Sequence, residues 1–305
     1  MRQRRRVRAL SVKIVPMIRH ALVQFKPHKS QLSQNLERLA AIIAQLEGEG
    51  VDVLTLPETA LTGYFLQAGV REQALTAGAM LEYLQEAVQK AGRTAPLDLC
   101  LGFYERDGGD FFNSALYAEL NTENAGVRHV HRKMFLPTYG VFDEERYVSR
   151  GWRLDAFDTR FGRAGVLICE DAWHASTAAV LALKGADVLY IPTASPVRDL
   201  TGAEPVNARR WEDTAKGIAA EHGVYVLTTC LSGFEGGKGF SGMSHMMDPY
   251  GVVVAKGNLF DEQIIVTDVH LESIQAARYE NPLLADLRAN LPELVRAFGE
   301  VGHDE

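Results

Sequence analysis

Cysteine is scarce in this chain, and its low count excludes a disulfide scaffold. Only Cys100, Cys169 and Cys230 occur among 305 residues, which is typical of a reducing compartment, so we expect a cytoplasmic protein. No hydrophobic run approaches the roughly 18 residues that span a bilayer, so we expect no membrane association. The chain also lacks a Ser/Gly-rich or Pro-rich linker and a solenoid-type repeat, which favours a single domain.

Net positive charge is lacking as well. The formal net charge is -7, and because phosphate contacts need clustered Lys and Arg, we expect no nucleic-acid partner. Residues 1–16 are the exception, since they carry +6 and leave -13 for the rest of the chain. Such a cluster can be a nucleic-acid or membrane arm, but untethered termini are common. We interpret residues 1–17 as a disordered basic leader and 18–305 as the domain.

Strand-like and helix-like segments alternate along the domain. Apolar runs predict strands at 18–25, 51–57, 97–105, 112–120, 165–169, 186–192, 224–230 and 263–271. Amphipathic spacing and composition predict helices at 31–46, 71–91, 172–185, 205–223 and 270–298. Because several strands are apolar on both sides, helices should cover the outer faces of the sheets. The predicted fold class is α/β with mixed sheets.

Cys169 lies at a corner between an apolar strand and a charged stretch that begins a helix, in the sequence GVLICEDAWH. A side chain at such a corner projects at the sheet edge, as in a nucleophile elbow with Cys in place of Ser. The N–H groups that open the helix would favour a thiolate and stabilise an oxyanion. On this context alone, a small core residue is the commoner outcome. We interpret Cys100 and Cys230, which lack the charged turn, as core residues.

Further charged residues follow other strand-like segments. Glu58 ends the strand VDVLTLP, at a position that suits a general base. Lys133 precedes a Pro/Gly loop, where an ammonium could stabilise charge on a carbonyl oxygen, and Glu144 lies further along that loop. Taken singly, Glu58 is more typical of a carboxylate that caps the next segment, and Lys133 of a solvated charged loop. Together with Cys169 they supply the nucleophile, base and cation of acyl transfer through a thioester.

Two sequence patterns could indicate a bound cofactor or metal, but neither pattern is complete. The Gly-rich stretch 233–242 has Ser232 where a phosphate loop needs its first Gly, and Gly239 where it needs Ser or Thr. The histidines and cysteines show no structural-zinc spacing. We therefore expect neither a cofactor nor a metal.

These residues resemble the nitrilase superfamily of carbon–nitrogen hydrolases, over most of the chain. The family's three motifs occur in order, with Glu58 in LPETALTGY, Lys133 in HRKMFLP and Cys169 in GVLICEDAWH. The resemblance implies that Glu58 is the general base, Lys133 the oxyanion stabiliser and Cys169 the nucleophile. It also implies a second glutamate seven residues before a Gly, a spacing that Glu144 and Gly151 have.

The same resemblance implies the architecture and assembly. A four-layer αββα sandwich is the family's fold, so residues 18–305 are expected to form a single carbon–nitrogen hydrolase domain. Family members form homodimers that extend the sheets, which implies a homo-oligomer here, dimeric or larger.

Within the superfamily, the segments KMFLPTYGVFDEERYV and ICEDAW are most similar to the glutaminase domain of glutamine-dependent NAD synthetases. This similarity implies substrate-binding roles for Tyr139, Glu170, Trp173 and Ser195. The branch's basic residue after the turn PTASP is not clearly aligned, and the candidates are Arg198, Arg209 and Arg210. No ATP-pyrophosphatase domain follows in this sequence, so we expect that the chain does not make NAD by itself.

The expected function is hydrolysis of a non-peptide carbon–nitrogen bond in a small-molecule amide, with release of ammonia. The glutamine side-chain amide or another ω-amide is the suggested substrate, while an N-carbamoyl amide hydrolase and a short aliphatic amidase are alternatives of the same class. An alternative of another class is a silent or ammonia-supplying subunit that pairs with a separate synthetase.

Overall fold

A computed structural model describes residues 17–198 and 204–301. The predicted basic leader lies outside the described residues except for Met17, which is the first residue of a strand. None of the helices in the described ranges is long and apolar enough to cross a membrane.

The described residues contain fourteen strands and eight α-helices. In chain order the strands are β1 Met17–Gln24, β2 Val53–Thr55, β3 Leu97–Asp107, β4 Asp110–Leu120, β5 Gly126–Arg132, β6 Phe157–Thr159, β7 Gly162–Val166, β8 Val188–Thr193, β9 Tyr225–Cys230, β10 Ser232–Glu235, β11 Lys238–Ser241, β12 His245–Met247, β13 Val253–Lys256 and β14 Gln263–His270. The helices are α1 Leu32–Gln45, α2 Val70–Gln73, α3 Ala77–Lys90, α4 Ala175–Leu183, α5 Val206–His222, α6 Leu271–Glu280, α7 Leu283–Ala289 and α8 Leu291–Val301.

Twelve of the strands form two six-stranded mixed sheets. Sheet 1 has the order β14-β1-β2-β3-β4-β5, and sheet 2 has the order β13-β12-β9-β8-β7-β6. The inner strands of each sheet are parallel, namely β1, β2 and β3 in sheet 1 and β7, β8 and β9 in sheet 2. The outer strands are antiparallel to their neighbours. β10 and β11 form a separate hairpin.

The two sheets pack face to face, and helices cover their outer faces. Helices α1 and α3 share an apolar core with sheet 1, and α4 and α5 pack on sheet 2. Between the sheets, the Thr55 and Thr229 hydroxyl oxygens lie 2.8 Å apart, and the rings of Tyr117 and Tyr190 lie 5.6 Å apart. This arrangement is the αββα sandwich, and the expected fold class is confirmed.

Apolar spacing accounts for the helices that face the sheets. In α1, Leu39, Ala40 and Ile43 are buried on one face, and burying each large side chain contributes about 1.5–3 kcal/mol. The helix predicted over 71–91 is interrupted, because Thr76 caps a new helix by accepting a hydrogen bond from the Ala79 N–H at 3.1 Å. The short strand β6 and the hairpin β10–β11 carry too few apolar alternations to have been predicted.

Candidate active site

The predicted catalytic residues follow three different strands and meet where the sheets face each other. Glu58 comes shortly after β2, Lys133 directly after β5, and Cys169 shortly after β7. Glu58 and Lys133 are fully buried, and Cys169 is 7% exposed. Because β2 and β7 are central parallel strands, their carboxyl ends place these side chains at the edge where α/β sites form.

Lys133 joins two carboxylates. Its Nζ donates hydrogen bonds to Glu58 Oε1 at 2.8 Å and to Glu144 Oε1 at 2.6 Å. Burial opposes the positive charge, but Glu144 and Glu58 outweigh it and raise the pKa of Lys133 well above its ordinary value. The ammonium is therefore permanently charged and is held in one position beside Cys169.

Both oxygens of Glu58 are fixed by donors. Oε1 accepts from Lys133 and from the Asn113 side-chain amide at 2.7 Å, and Oε2 accepts from the Ala194 N–H at 2.8 Å. The same Ala194 N–H lies close enough to the Cys169 thiol to lower its pKa. The base and the thiol therefore share a neighbour, which suits proton transfer between them.

Cys169 has the backbone conformation of a nucleophile elbow. Its φ is +45°, in the left-handed region, at the first residue of the short 3-10 helix Cys169–Trp173. A residue other than Gly held there costs on the order of 1–3 kcal/mol, which the surrounding fold must offset. Burial and the Glu58 charge raise the pKa of the Cys169 thiol well above its usual value, while Lys133 lowers it. The thiol is therefore protonated at neutral pH and needs a base to become a nucleophile.

Glu144 lies in the first turn of the 3-10 helix Glu144–Arg146 and faces Lys133. Burial raises the pKa of Glu144 to about 7, although Lys133 and a hydrogen bond from the Tyr64 hydroxyl lower it. Its neighbour Glu145 instead forms an exposed ion pair with Arg150 at 2.6 Å. The structure therefore places the residue chosen from its spacing to Gly151 in the site, and places Glu145 outside it.

Gly151 closes the loop that carries Glu144. The Gly151 N–H donates to the Lys133 carbonyl at 2.7 Å. A Cβ at this position would lie 2.1 Å from the Arg132 carbonyl oxygen, so only Gly allows the approach. The spacing between Glu144 and Gly151 thus corresponds to the number of residues that the loop needs to bring the chain back to Lys133.

The residues predicted to bind substrate divide into two groups. In the first group, the Tyr139 hydroxyl donates to the Glu170 carboxylate at 2.9 Å, and the Arg198 guanidinium lies 5.4 Å from the Tyr139 ring centre. Ser195 follows Ala194 directly and accepts a hydrogen bond from Asn207 at 3.0 Å.

Trp173 lies toward α5. Its ring packs edge-on against Trp211 at 4.9 Å, and Arg210 lies 4.5 Å above it. Trp173 thus contacts two residues of α5 and also packs against the core of sheet 2.

A cavity of about 60 Å³ adjoins Glu144. Its walls include Tyr64, Tyr104, Phe142 and Tyr147, and its volume suits one or two water molecules. A much larger groove of about 920 Å³ runs along β5 past Trp152, but neither Cys169 nor Glu58 lines it. Cys169, Glu58 and Lys133 do not line the small cavity either, and it meets the candidate site through Glu144. Within the described ranges, no three His, Cys, Asp or Glu side chains are grouped as a metal would need.

Asp171 is a site residue that the sequence did not reveal. It is fully buried, and its Oδ1 accepts the N–H groups of Met134 and Phe135, both at 2.9 Å. Its Oδ2 accepts the Ile168 N–H at 3.1 Å and contacts His131 Nε2 at 2.8 Å. One carboxylate thus fastens the elbow before Cys169 to the segment around Lys133.

We expect Asp171→Asn to impair both folding and catalysis. The amide NH₂ would face N–H donors, and each charge-assisted hydrogen bond lost costs about 1.5–3 kcal/mol of stability. Because the elbow and the segment after Lys133 would separate, kcat/KM should fall by about 10²-fold, as for a small misplacement of reacting groups. Asp98→Asn is the matched control, since Asp98 is also fully buried but bonds to Tyr117 and Arg160 at the start of β3.

Urea unfolding and steady-state kinetics would measure both effects. Asp98→Asn should lower stability without changing kcat/KM. Equal activity in Asp171→Asn and the wild type would show that this carboxylate does not position the site.

The sequence has relatives among known proteins. The family model described as carbon-nitrogen hydrolase matches residues 19–279. The chain is 31% identical to a glutamine-dependent NAD(+) synthetase of Xylella fastidiosa, over 82% of this chain and 44% of that protein. It is 26% identical to a citrullinase of Francisella tularensis, over 92% of this chain and 99% of that one. The chain thus spans less than half the length of the synthetase.

The fold has solved counterparts. A carbon-nitrogen hydrolase of Helicobacter pylori superposes with a TM-score of 0.79 at 24% identity, covering 90% of this chain and 97% of that chain. At this identity the likeness concerns the fold, and it extends over nearly the whole of both chains.

Proposed function

The chain belongs to the carbon-nitrogen hydrolase family of the nitrilase superfamily, and on this premise we propose that it hydrolyses the terminal carboxamide of a small amino-acid-like substrate such as glutamine, through a thioester at Cys169. The observation that carries the proposal is the position of Lys133, which is fully buried between Glu58 and Glu144, beside the Cys169 elbow. Such a cluster supplies a base and a cation for a neighbouring thiol.

Acylation begins when Glu58 accepts the Cys169 proton. The thiolate attacks the amide carbon, and the carbonyl oxygen becomes an oxyanion that Lys133 and the Glu170 N–H stabilise. Glu58 then returns the proton to the amide nitrogen, the carbon–nitrogen bond breaks, and ammonia leaves. The product of this half-reaction is a thioester on Cys169.

Deacylation uses the same base. Water gives a proton to Glu58 and attacks the thioester carbon, and the carbon–sulfur bond breaks to release the acid and the Cys169 thiolate. The thiolate recovers its proton from Glu58. Glu144 supports this step by holding Lys133.

Charged side chains near Cys169 favour an amino-acid substrate. Glu170 follows Cys169 directly in the chain and accepts a hydrogen bond from the Tyr139 hydroxyl, and the Arg198 guanidinium lies over the Tyr139 ring. A carboxylate and a guanidinium so arranged complement an α-ammonium and an α-carboxylate. The similarity to a glutamine-dependent enzyme and to a citrullinase supports this choice, because glutamine and citrulline share an amino-acid head and a terminal carbonyl–NH₂ group.

An ammonia-release screen tests this substrate class. We expect glutamine to give a higher kcat/KM than asparagine, ω-amides, citrulline, N-carbamoyl amino acids or propionamide. Arg198→Ala should raise KM for glutamine by about tenfold or more, since a hydrogen bond to a charged group contributes about 1.5–3 kcal/mol. The same variant should leave propionamide hydrolysis unchanged.

Arg296→Ala is the control, because Arg296 is an exposed arginine of helix α8 that pairs with Glu300. An equal loss on glutamine and propionamide in Arg198→Ala would exclude a role in recognising the amino-acid head. A clear preference for N-carbamoyl amino acids would replace glutamine with the alternative substrate class.

A second candidate function is ammonia supply to a separate synthetase. The observation that favours it is the similarity to glutamine-dependent synthetases over less than half their length. Glutamine-dependent product formation by an ammonia-using synthetase, on addition of this chain at low free ammonia, would support it.

A further inference from the structure

The hairpin β10–β11 touches both sides of the site. On one side, the Val197 N–H, in the loop after Ala194, donates to the Gly239 carbonyl at 2.7 Å. On the other side, the Phe240 ring packs against Phe65 at 5.8 Å and Tyr64 at 6.3 Å. The hairpin thus joins the loop that holds Glu58 Oε2 to the turn that follows Glu58.

Glu235 makes the polar contact on the second side. Its side chain is buried, with Oε2 accepting the Tyr64 N–H at 2.9 Å and Oε1 accepting the Phe65 N–H at 2.5 Å. Lys29 Nζ lies 4.0 Å from Oε1, at the edge of ion-pair distance. A carboxylate is costly to bury, and these two backbone donors offset that cost.

The turn is shaped to receive this carboxylate. Gly63 has φ +85°, and a Cβ on it would lie 2.7 Å from Glu235 Oε2. Gly63 therefore serves two purposes, since it allows both the left-handed backbone and the close approach of Glu235. No part of the reaction described above uses Glu235.

Tyr64 carries the effect of this contact into the site. Its hydroxyl donates to Glu144 Oε1, the same oxygen that accepts from Lys133 Nζ at 2.6 Å. Its carbonyl accepts a hydrogen bond from the Tyr104 hydroxyl at 2.6 Å. With its N–H held by Glu235, Tyr64 is fixed at both backbone polar groups and at its hydroxyl.

We propose that Glu235 is a positioning residue for the reaction: by holding the Tyr64 amide it keeps the Tyr64 hydroxyl on Glu144, and so sets where Glu144 and Lys133 stand beside Cys169. The inference rests on the proposed function and adds a residue to its site. It predicts that Glu235 and Tyr64 act in series.

The groups that face Glu144 give this proposal a measurable signature. They are Lys133, Glu58, Tyr64, Tyr104 and Cys169. Burial holds the pKa of Glu144 near 7, and the hydrogen bond from Tyr64 lowers it. When that hydrogen bond is lost or displaced, the pKa rises, so the acid limb of the pH–rate profile moves to higher pH.

The test is a double-mutant cycle read as the pH dependence of kcat/KM. The wild-type acid limb should have its midpoint near pH 7, the pKa of Glu144. Tyr64→Phe should raise the midpoint by about one pH unit, the shift that corresponds to one hydrogen bond to a charged group. Glu235→Gln should also raise the midpoint, because the side-chain NH₂ of the glutamine would face one of the two backbone N–H donors. The double variant should move it no further than Tyr64→Phe alone.

Glu119→Gln is the matched control. Glu119 is a buried carboxylate paired with Arg128 at 2.7 Å on β4, so its loss should alter stability without moving the pH midpoint. If Glu235→Gln does not fold, Glu235→Asp carries the same test, because the shorter side chain keeps the charge but cannot reach both amides.

Two results would overturn the proposal: an unmoved midpoint in folded Glu235→Gln where Tyr64→Phe moves it, or additive shifts in the double variant. A wild type that hydrolyses no amide would count against the proposed function instead. In that case the rate of Cys169 alkylation by iodoacetamide, read by peptide mass spectrometry across pH, replaces kcat/KM. This rate follows the ionisation of the Cys169 thiol, and the Glu144 charge raises the pKa of that thiol, so a change at Glu144 should move the pH dependence of alkylation.

Discussion

Cys169→Ala is expected to lower amide hydrolysis by at least about 10⁴-fold, because removal of a covalent nucleophile leaves only binding and oxyanion stabilisation. Cys169→Ser should be nearly as inactive, since Glu58 must then deprotonate a far less acidic hydroxyl in a buried site. Continuous ammonia release at saturating substrate measures both losses.

Cys100→Ala is the matched control for this loss. Cys100 is a buried free cysteine in β3 whose pKa burial also raises, but it lies in the core between the sheets. Its substitution should preserve kcat/KM. Turnover at the wild-type rate in Cys169→Ala would remove the thiol from the mechanism.

Lys133→Met is the second substitution with a large expected effect. Loss of one oxyanion donor costs about 3–4 kcal/mol of barrier, so kcat should fall by about 10²–10³-fold. The fold should suffer as well, because Glu58 and Glu144 would remain buried side by side without their cation. Removing one partner of a buried ion pair costs about 3–5 kcal/mol of stability.

The stability loss should grow with pH. The pKa of Glu144 is about 7 in the folded wild type, above its ordinary value, and loss of Lys133 raises it further. A carboxyl with a raised pKa favours the folded state while it is protonated, and this contribution is lost as pH rises through the folded-state pKa. Lys133→Met should therefore be nearer to wild-type stability at pH 6 than at pH 8.

Urea unfolding at both pH values checks this prediction. Lys90→Met is the control, since Lys90 forms an exposed ion pair with Glu37 on the helical surface and its loss should change stability by less than about 0.5 kcal/mol. A difference between Lys133→Met and wild type that does not vary with pH would contradict the account of Glu144.

Apolar periodicity was sufficient to predict most of the individual strands and helices and the α/β class. The runs that became β1, β3, β8 and β9 are long and apolar enough to exclude other elements. Glu58 and Cys169 could each be placed beside a strand end, but their meeting came from the resemblance to a family, because β2 and β7 lie in different sheets. The positions of Lys133 and Glu144 came from the resemblance to a family, since a charged loop alone has no fixed place.

The residues that support the site could not be predicted. Asp171 and Glu235 act through side-chain bonds to backbone N–H groups, and those groups lie 37 and 171 residues away in the chain. Such contacts leave no periodic trace in the sequence, because their geometry depends on how loops pack. The short strand β6 was missed for a related reason: three residues are too few to show alternation.

Mass spectrometry of the wild-type chain, quenched with acid during turnover of glutamine or another hydrolysed amide, detects the thioester itself. The peptide containing Cys169 should gain the mass of the acyl group, hydroxylamine should remove this mass, and Cys100 and Cys230 should stay unmodified. Steady ammonia release with Cys169 unmodified at every quench time, also in a Glu144→Gln variant in which deacylation should be slowed, would contradict a thioester mechanism.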